Sequence, residues 1–177
     1  MRRFLDGLYL AAGVAGALAI FLIFALVAMQ ISARLLDLAM RAIGFDVVGL
    51  VVPSIAEICG FLLAGGSFLA LPYTLVHGGH IRIGIVVNRL PRRIQIAVEV
   101  LVGIAAAALS GYATVALARL AMRSFSFGDV SYGIVPIPLA LPQAVMALGL
   151  AVMTVALIDA AWQAARHGTR LPGGNEV

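Results

Sequence analysis

Residues 7–33 read GLYLAAGVAGALAIFLIFALVAMQISA. No side chain in this stretch is charged. At about 1.5 Å per residue a helix over it is about 40 Å long, more than the roughly 30 Å hydrocarbon core of a bilayer. In lipid every backbone N–H and C=O needs an internal partner, and a helix supplies one. Three further stretches are of the same kind: Val47–Val76, Val100–Ala118 and Val130–Ile158. The four together hold one charged residue, Glu57. None alternates apolar and polar positions as the strands of a membrane barrel do. The chain therefore reads as an all-α integral membrane protein of four helices. Residues 1–177 form a single transmembrane domain with spans at about 8–33, 48–76, 92–120 and 138–162. These use up most of the chain and leave no length for a separate soluble domain.

The first stretch is too long for the h-region of a cleaved signal peptide, which runs about 7–15 residues and ends in small residues. Here it ends in Gln30, Ile31, Ser32, Ala33 and Arg34, and is expected to remain as an anchor. The pI near 10.0 comes entirely from arginine. Those arginines cluster at the ends of the apolar segments, where headgroups and water lie, and form no stripe suited to nucleic acid. The single cysteine, Cys59, excludes a disulfide framework and any multi-cysteine metal site, and reads as an inert buried thiol.

Proline marks helix ends. Pro91 suits the first turn of the third helix, Pro53 can begin or kink the second, and Pro138–Pro142 brackets the start of the fourth. Arginine counting gives the orientation. With four spans, Arg2, Arg3, Arg82, Arg89, Arg92, Arg93, Arg166 and Arg170 share one side, against Arg34, Arg41, Arg119 and Arg123 on the other. The positive-inside rule then places both termini in the cytoplasm. Two connections have amphipathic character. In 34–43 the polar residues Arg34, Asp37 and Arg41 fall on one face, and in 82–90 the apolar residues Ile83, Val86, Val87 and Leu90 do so. Both are expected to be short interfacial helices.

Small residues recur at four-residue spacing. Gly103, Ala107 and Gly111 lie on the third helix, flanked by Ala106 and Ser110. Ala12 with Gly16, and Gly60 with Ala64, repeat the pattern on the first two. Such spacing lets helix backbones approach closely. It serves either packing within the protein or docking of a partner, and the sequence leaves both open.

Chemistry-bearing residues are few. Glu57 is the ionisable group set inside a span, where burial of charge is costly. Its place about one turn after Pro53 favours a structural role, such as pairing with Arg34, over ion transport. His77 and His80 are close in sequence, yet no cysteine or nearby carboxylate completes a metal set. A haem anchor needs histidines facing each other inside two helices, which these do not offer. No nucleophile–base pattern, phosphate loop or dinucleotide fingerprint is present. No catalytic, cofactor or metal residues are therefore assigned, and the chain does not read as an enzyme. The alternative function is a self-contained four-helix multidrug or cation antiporter working as a homodimer. That would need a mid-membrane carboxylate and aromatic residues around a cation, whereas Trp162 lies at the C-terminal end.

Four features in order resemble the DctQ-like small membrane subunit of tripartite ATP-independent periplasmic transporters. They are Arg34 closing the first helix, Glu57 near the start of the second, the run His80-Ile81-Arg82-Ile83 after it, and Gly128-Asp129-Val130-Ser131 leading into Ile137-Pro138. Gly84 stands where the family often has an acidic residue, and Val52-Pro53-Ser54 where it commonly has a tryptophan. The resemblance implies a multi-pass protein of the bacterial inner membrane, partnered by a DctM-like large membrane subunit and a DctP-like periplasmic binding protein. It implies a scaffold role in sodium-coupled uptake of a small organic acid such as a dicarboxylate. Arg34, Glu57, His80, Arg82, Asp129, Gly103, Ala107 and Gly111 are the candidate structural and partner-interface positions.

Overall fold

The computed structural model describes residues 2–46, 49, 51–79 and 91–167. The chain is all-α, with helices α1 (Arg2–Ala42), α2 (Ile55–Val76), α3 (Arg92–Phe127) and α4 (Ala140–His167). Each is long and apolar enough to cross a membrane. Among the described residues the only β-type pairing is a single bridge between Val130 and Pro138.

The ends follow local chemistry. Pro53 disfavours helix at the residue before it, and Ser54 adopts a left-handed φ of 57°. The second helix thus begins at Ile55, with Ser54 O accepting the N–H groups of Glu57 and Ile58 at 3.0 Å. Pro91 precedes α3, and Pro91 O accepts from Ile94 at 2.9 Å. Gly128, at φ 67°, ends α3 by donating its N–H to Phe125 O, while Asp129 donates to Ser124 O. Residues 34–43 are expected from the sequence as a separate interfacial helix, whereas in the structure α1 continues without a break to Ala42. Nothing between Arg34 and Ala42 is glycine or proline, and the chain turns only at Gly44, φ 80°. The other expected interfacial helix, 82–90, lies outside the described residues.

Packing is unequal. Helix α2 packs against both α1 and α4, and α4 against both α2 and α3, whereas α1 meets α4 sparsely. The helices therefore form an open layer in the order α1, α2, α4, α3. Adjacent glycines let α2 serve two neighbours. A methyl on Gly66 would come 2.8 Å from Ala19 Cβ of α1, and one on Gly65 would come 2.9 Å from Val145 Cγ1 of α4. Gly16 returns the fit, since a methyl there would lie 2.8 Å from Gly66 O. The sequence pattern pointed instead to Gly60 with Ala64, but a methyl on Gly60 would meet nothing within 4 Å. The register is shifted because α2 is covered on two sides.

The α3–α4 seam is polar at its centre. Ser110 Oγ donates to Leu150 O at 3.3 Å, and Thr154 Oγ1 donates to Ser110 Oγ at 3.0 Å. Hydrogen bonds of this kind join transmembrane helices where no hydrophobic force acts between them. The core cluster joins Tyr9 and Ala12 of α1, Leu75 of α2, Ala107 of α3, and Val152, Ala156 and Leu157 of α4.

Candidate functional site

Glu57 sits in the first turn of α2, where the helix dipole favours a carboxylate. Its Oε2 is buried and has no hydrogen-bond partner. The connection from α3 to α4 covers it. Gly133 in that connection approaches so closely that a Cβ there would overlap Glu57 Oε2 and lie 2.6 Å from Ser54 Oγ. Ser54 does not cap its own helix with its side chain. Its hydroxyl oxygen instead accepts the N–H of Val135 at 3.0 Å, tying the connection to the start of α2.

The connection is braced internally as well. Leu139 N–H donates to Asp129 O at 3.0 Å, Ser131 N–H to Ile137 O at 2.9 Å, and Ile137 N–H to Ser131 Oγ at 3.1 Å. At its tip Tyr132 is fully exposed and Ile134 is 85% exposed. On the α1 side, Gln30 is 7% exposed and its Oε1 accepts Val52 N–H at 3.0 Å, while its Nε2 is buried without a partner. Asp37 accepts the N–H of Gly49 at 3.3 Å. The end of the layer where α1 and α3 finish and α2 and α4 begin is thus knitted by polar groups from three elements.

The pairing expected between Glu57 and Arg34 is not formed: Arg34 is exposed, and no ion pair joins the two among the described residues. Gln30, one turn earlier, already meets the chain at Val52, so Arg34 stands beyond the level of Glu57. Asp129 is exposed and joins the brace through its backbone carbonyl. Gly103 and Ala107 are buried on α3, and Gly111 is half-buried, with a methyl there 3.6 Å from Thr154 Cγ2. This small-residue face is therefore used inside the protein, against α4. His80 and Arg82 lie outside the described residues. His77 stacks on Tyr73 at 4.0 Å between ring centroids, and its Nδ1 lies 3.0 Å from Tyr73 O. No group of three potential metal ligands occurs among the described residues.

Sequence reasoning missed the opposite end. Tyr9 is 1% exposed with its hydroxyl unpartnered, and Glu99 is 9% exposed. Asp159 accepts from Gln163 Nε2 at 2.8 Å. One signal was available: the four-residue register of Gly103, Ala107 and Gly111, extended one step back, lands on Glu99. Trp162 and Arg166 mark the adjoining interface, with the guanidinium 4.5 Å above the indole ring.

Compared with known families, residues 35–167 match the DctQ component of tripartite ATP-independent periplasmic transporters. The chain belongs to this family. No curated protein and no solved structure matches it. This DctQ component is thus a small membrane subunit of a tripartite transporter, a multi-pass protein whose family works with two other kinds of component. The matched segment contains Glu57, the α3 seam and the braced connection, and begins directly after Arg34. Most of α1 precedes it.

Proposed function

We propose that this DctQ component is the fixed scaffold of a sodium-coupled, binding-protein-dependent importer in the bacterial inner membrane. A DctM-like large subunit would hold the substrate and sodium sites, and a DctP-like periplasmic protein would deliver a small organic acid such as a dicarboxylate. The observation that carries this reading is the family match over residues 35–167. The placement of polar groups supports it: Glu57 lies beneath Gly133, and Ser110 and Thr154 are spent on the α3–α4 seam. Both outer helices meanwhile present large apolar side chains, including Phe21 and Phe24 of α1 and Leu101 and Leu109 of α3. Those faces suit lipid and a larger membrane protein.

Reconstitution tests the reading. The purified chain in proteoliposomes is expected to be inert toward organic acids under a sodium gradient. Uptake is expected once the large subunit and loaded binding protein are added. Sodium-driven uptake by the chain alone would overturn the scaffold role.

Topology gives a second test. In a Cys59-free background, cysteine at Arg89 is expected to label only from the cytoplasm and cysteine at Asp129 only from the periplasm. The reverse pattern would sink the orientation.

A further inference from the structure

Helix α3 lies at one edge of the layer and packs chiefly against α4. Its buried side, with Gly103, Ala107 and Ser110, is turned to that helix. Leu101, Ala105, Tyr112, Ala116, Arg119 and Arg123 fall on the opposite stripe of a helix with 3.6 residues per turn, and all are exposed. Helix α1, at the other edge, makes the contrast. Between Gly7 and Met29 its exposed side chains are apolar throughout, Phe21 and Phe24 among them, which suits lipid.

Tyr112 sets the α3 stripe apart. Its side chain is 74% exposed. At about 1.5 Å per residue it stands about 18 Å from Val100 and about 10 Å from Arg119, which bound the uncharged stretch of this helix. Side chains lean toward the helix N-terminus, here away from Arg119, so the hydroxyl is held deeper still. Tyrosines that keep their hydroxyl wet sit in the interfacial belt. This one is about two turns too deep for that. The hydroxyl meets no acceptor among the described residues. The local rescue open to smaller hydroxyls is closed to it. Thr114 Oγ1 turns back on Ser110 O at 2.9 Å, and Ser126 Oγ on Met122 O at 2.9 Å, whereas a phenol is carried beyond its own backbone by the ring. Lipid tails offer no acceptor, and a polar group left without one in hydrocarbon is costly. Another membrane helix does offer one. Further along the same stripe, Arg119 and Arg123 form no ion pair among the described residues. Cations so placed are complementary to acidic groups on a neighbour.

We propose that this stripe of α3 is the docking face for the DctM-like large subunit. A transmembrane helix of that subunit sets a hydrogen-bond acceptor against the Tyr112 hydroxyl and a carboxylate near Arg119. The contact rests on the scaffold role proposed above, and names the helix that carries it and the chemistry of the surface it meets.

The test co-expresses the full chain with the tagged large subunit. Benzoylphenylalanine replaces Leu101 or Leu109 of α3, or Phe21 or Phe24 of α1, and membranes are photolysed before solubilisation. Cross-links to the large subunit are expected from both α3 positions at severalfold the level from α1. Tyr112→Phe removes the hydroxyl alone. It is expected to lower co-purification with the large subunit severalfold and to leave the melting temperature of the isolated chain in detergent unchanged. Cross-links from α1 at an equal or higher level would overturn the assignment while the scaffold role stands. So would cross-links from α3 to a second copy of this chain, or undiminished co-purification of Tyr112→Phe. A fall in the isolated chain's melting temperature would make the effect internal to the fold and count against the assignment equally. If the large subunit fails to co-purify even with the unsubstituted chain, the scaffold role falls and the docking face with it.

Discussion

Gly149→Leu is expected to separate α4 from α2 and abolish a stable protein. The cause is traceable along the sequence. Pro72 lies inside α2, is almost fully buried, and carries no N–H, so the carbonyl of Phe68 four residues earlier loses its helical donor. At that carbonyl Gly149 of α4 faces the α2 backbone directly. A methyl on Gly149 would stand 2.6 Å from both C and O of Phe68 and 2.9 Å from Leu69 N. These are backbone atoms of a helix and cannot swing aside, so relief requires the helices to move apart. Overpacking of ordinary cores costs about 1–3 kcal/mol. With a whole isobutyl group against rigid backbone the cost is expected to exceed about 3 kcal/mol, a large share of the stability of a protein of ordinary size. The readout is thermal stability in mild detergent, together with recovery of a monodisperse peak. Gly60→Leu is the control: that position has open space around it and is expected to be tolerated. Equal behaviour of the two variants would mean that α2 and α4 do not cross at Gly149.

The contrast between Gly149 and Gly60 shows what the sequence disclosed. Four stretches holding a single charged residue among them announce four helices, because hydrophobic length and backbone satisfaction in lipid admit little else. Helix ends at Pro91 and near Pro138 were equally legible, since proline acts locally. The small-residue register of α3 led to a true seam. Which glycines meet a neighbour on α2 was not legible. Spacing within one helix carries no information about how many helices surround it, and α2 is flanked by two. The same limit applies to Arg34. Its partner could not be read from α1, because the level at which the chain re-enters α2 is set by the Gln30–Val52 contact, which is separated by a turn and a loop. The connection over Glu57 was the least visible element. Gly128, Asp129 and Ser131 stood out as a motif, but their bracing by backbone bonds and by Ser54 is long-range. A sequence shows periodicity; it does not show which loop lies over which helix end.

That buried junction gives the second large effect. Gly133→Ala is expected to destabilise the protein because its methyl would occupy the place of the Glu57 carboxylate and press on Ser54 Oγ. Unlike the Gly149 case, the opposing atoms belong to side chains, which can turn. The cost is therefore expected to be smaller, about 1–3 kcal/mol. This difference allows a specific check. In a Glu57→Ala background the space beneath position 133 opens, so the added methyl should cost much less there. The pair is expected to show a coupling of about 1 kcal/mol or more in a double-mutant cycle of thermal or denaturant stability. Strict additivity would show that the loop does not rest on the carboxylate. Glu57→Gln separates structure from transport. It keeps the shape but alters the polar atoms buried against the loop, where an unsatisfied group is costly. Yield of the assembled transporter is expected to fall, while sodium dependence of uptake in the complexes that do form stays unchanged. A normal yield with altered sodium stoichiometry would place Glu57 in the coupling machinery and remove it from the scaffold.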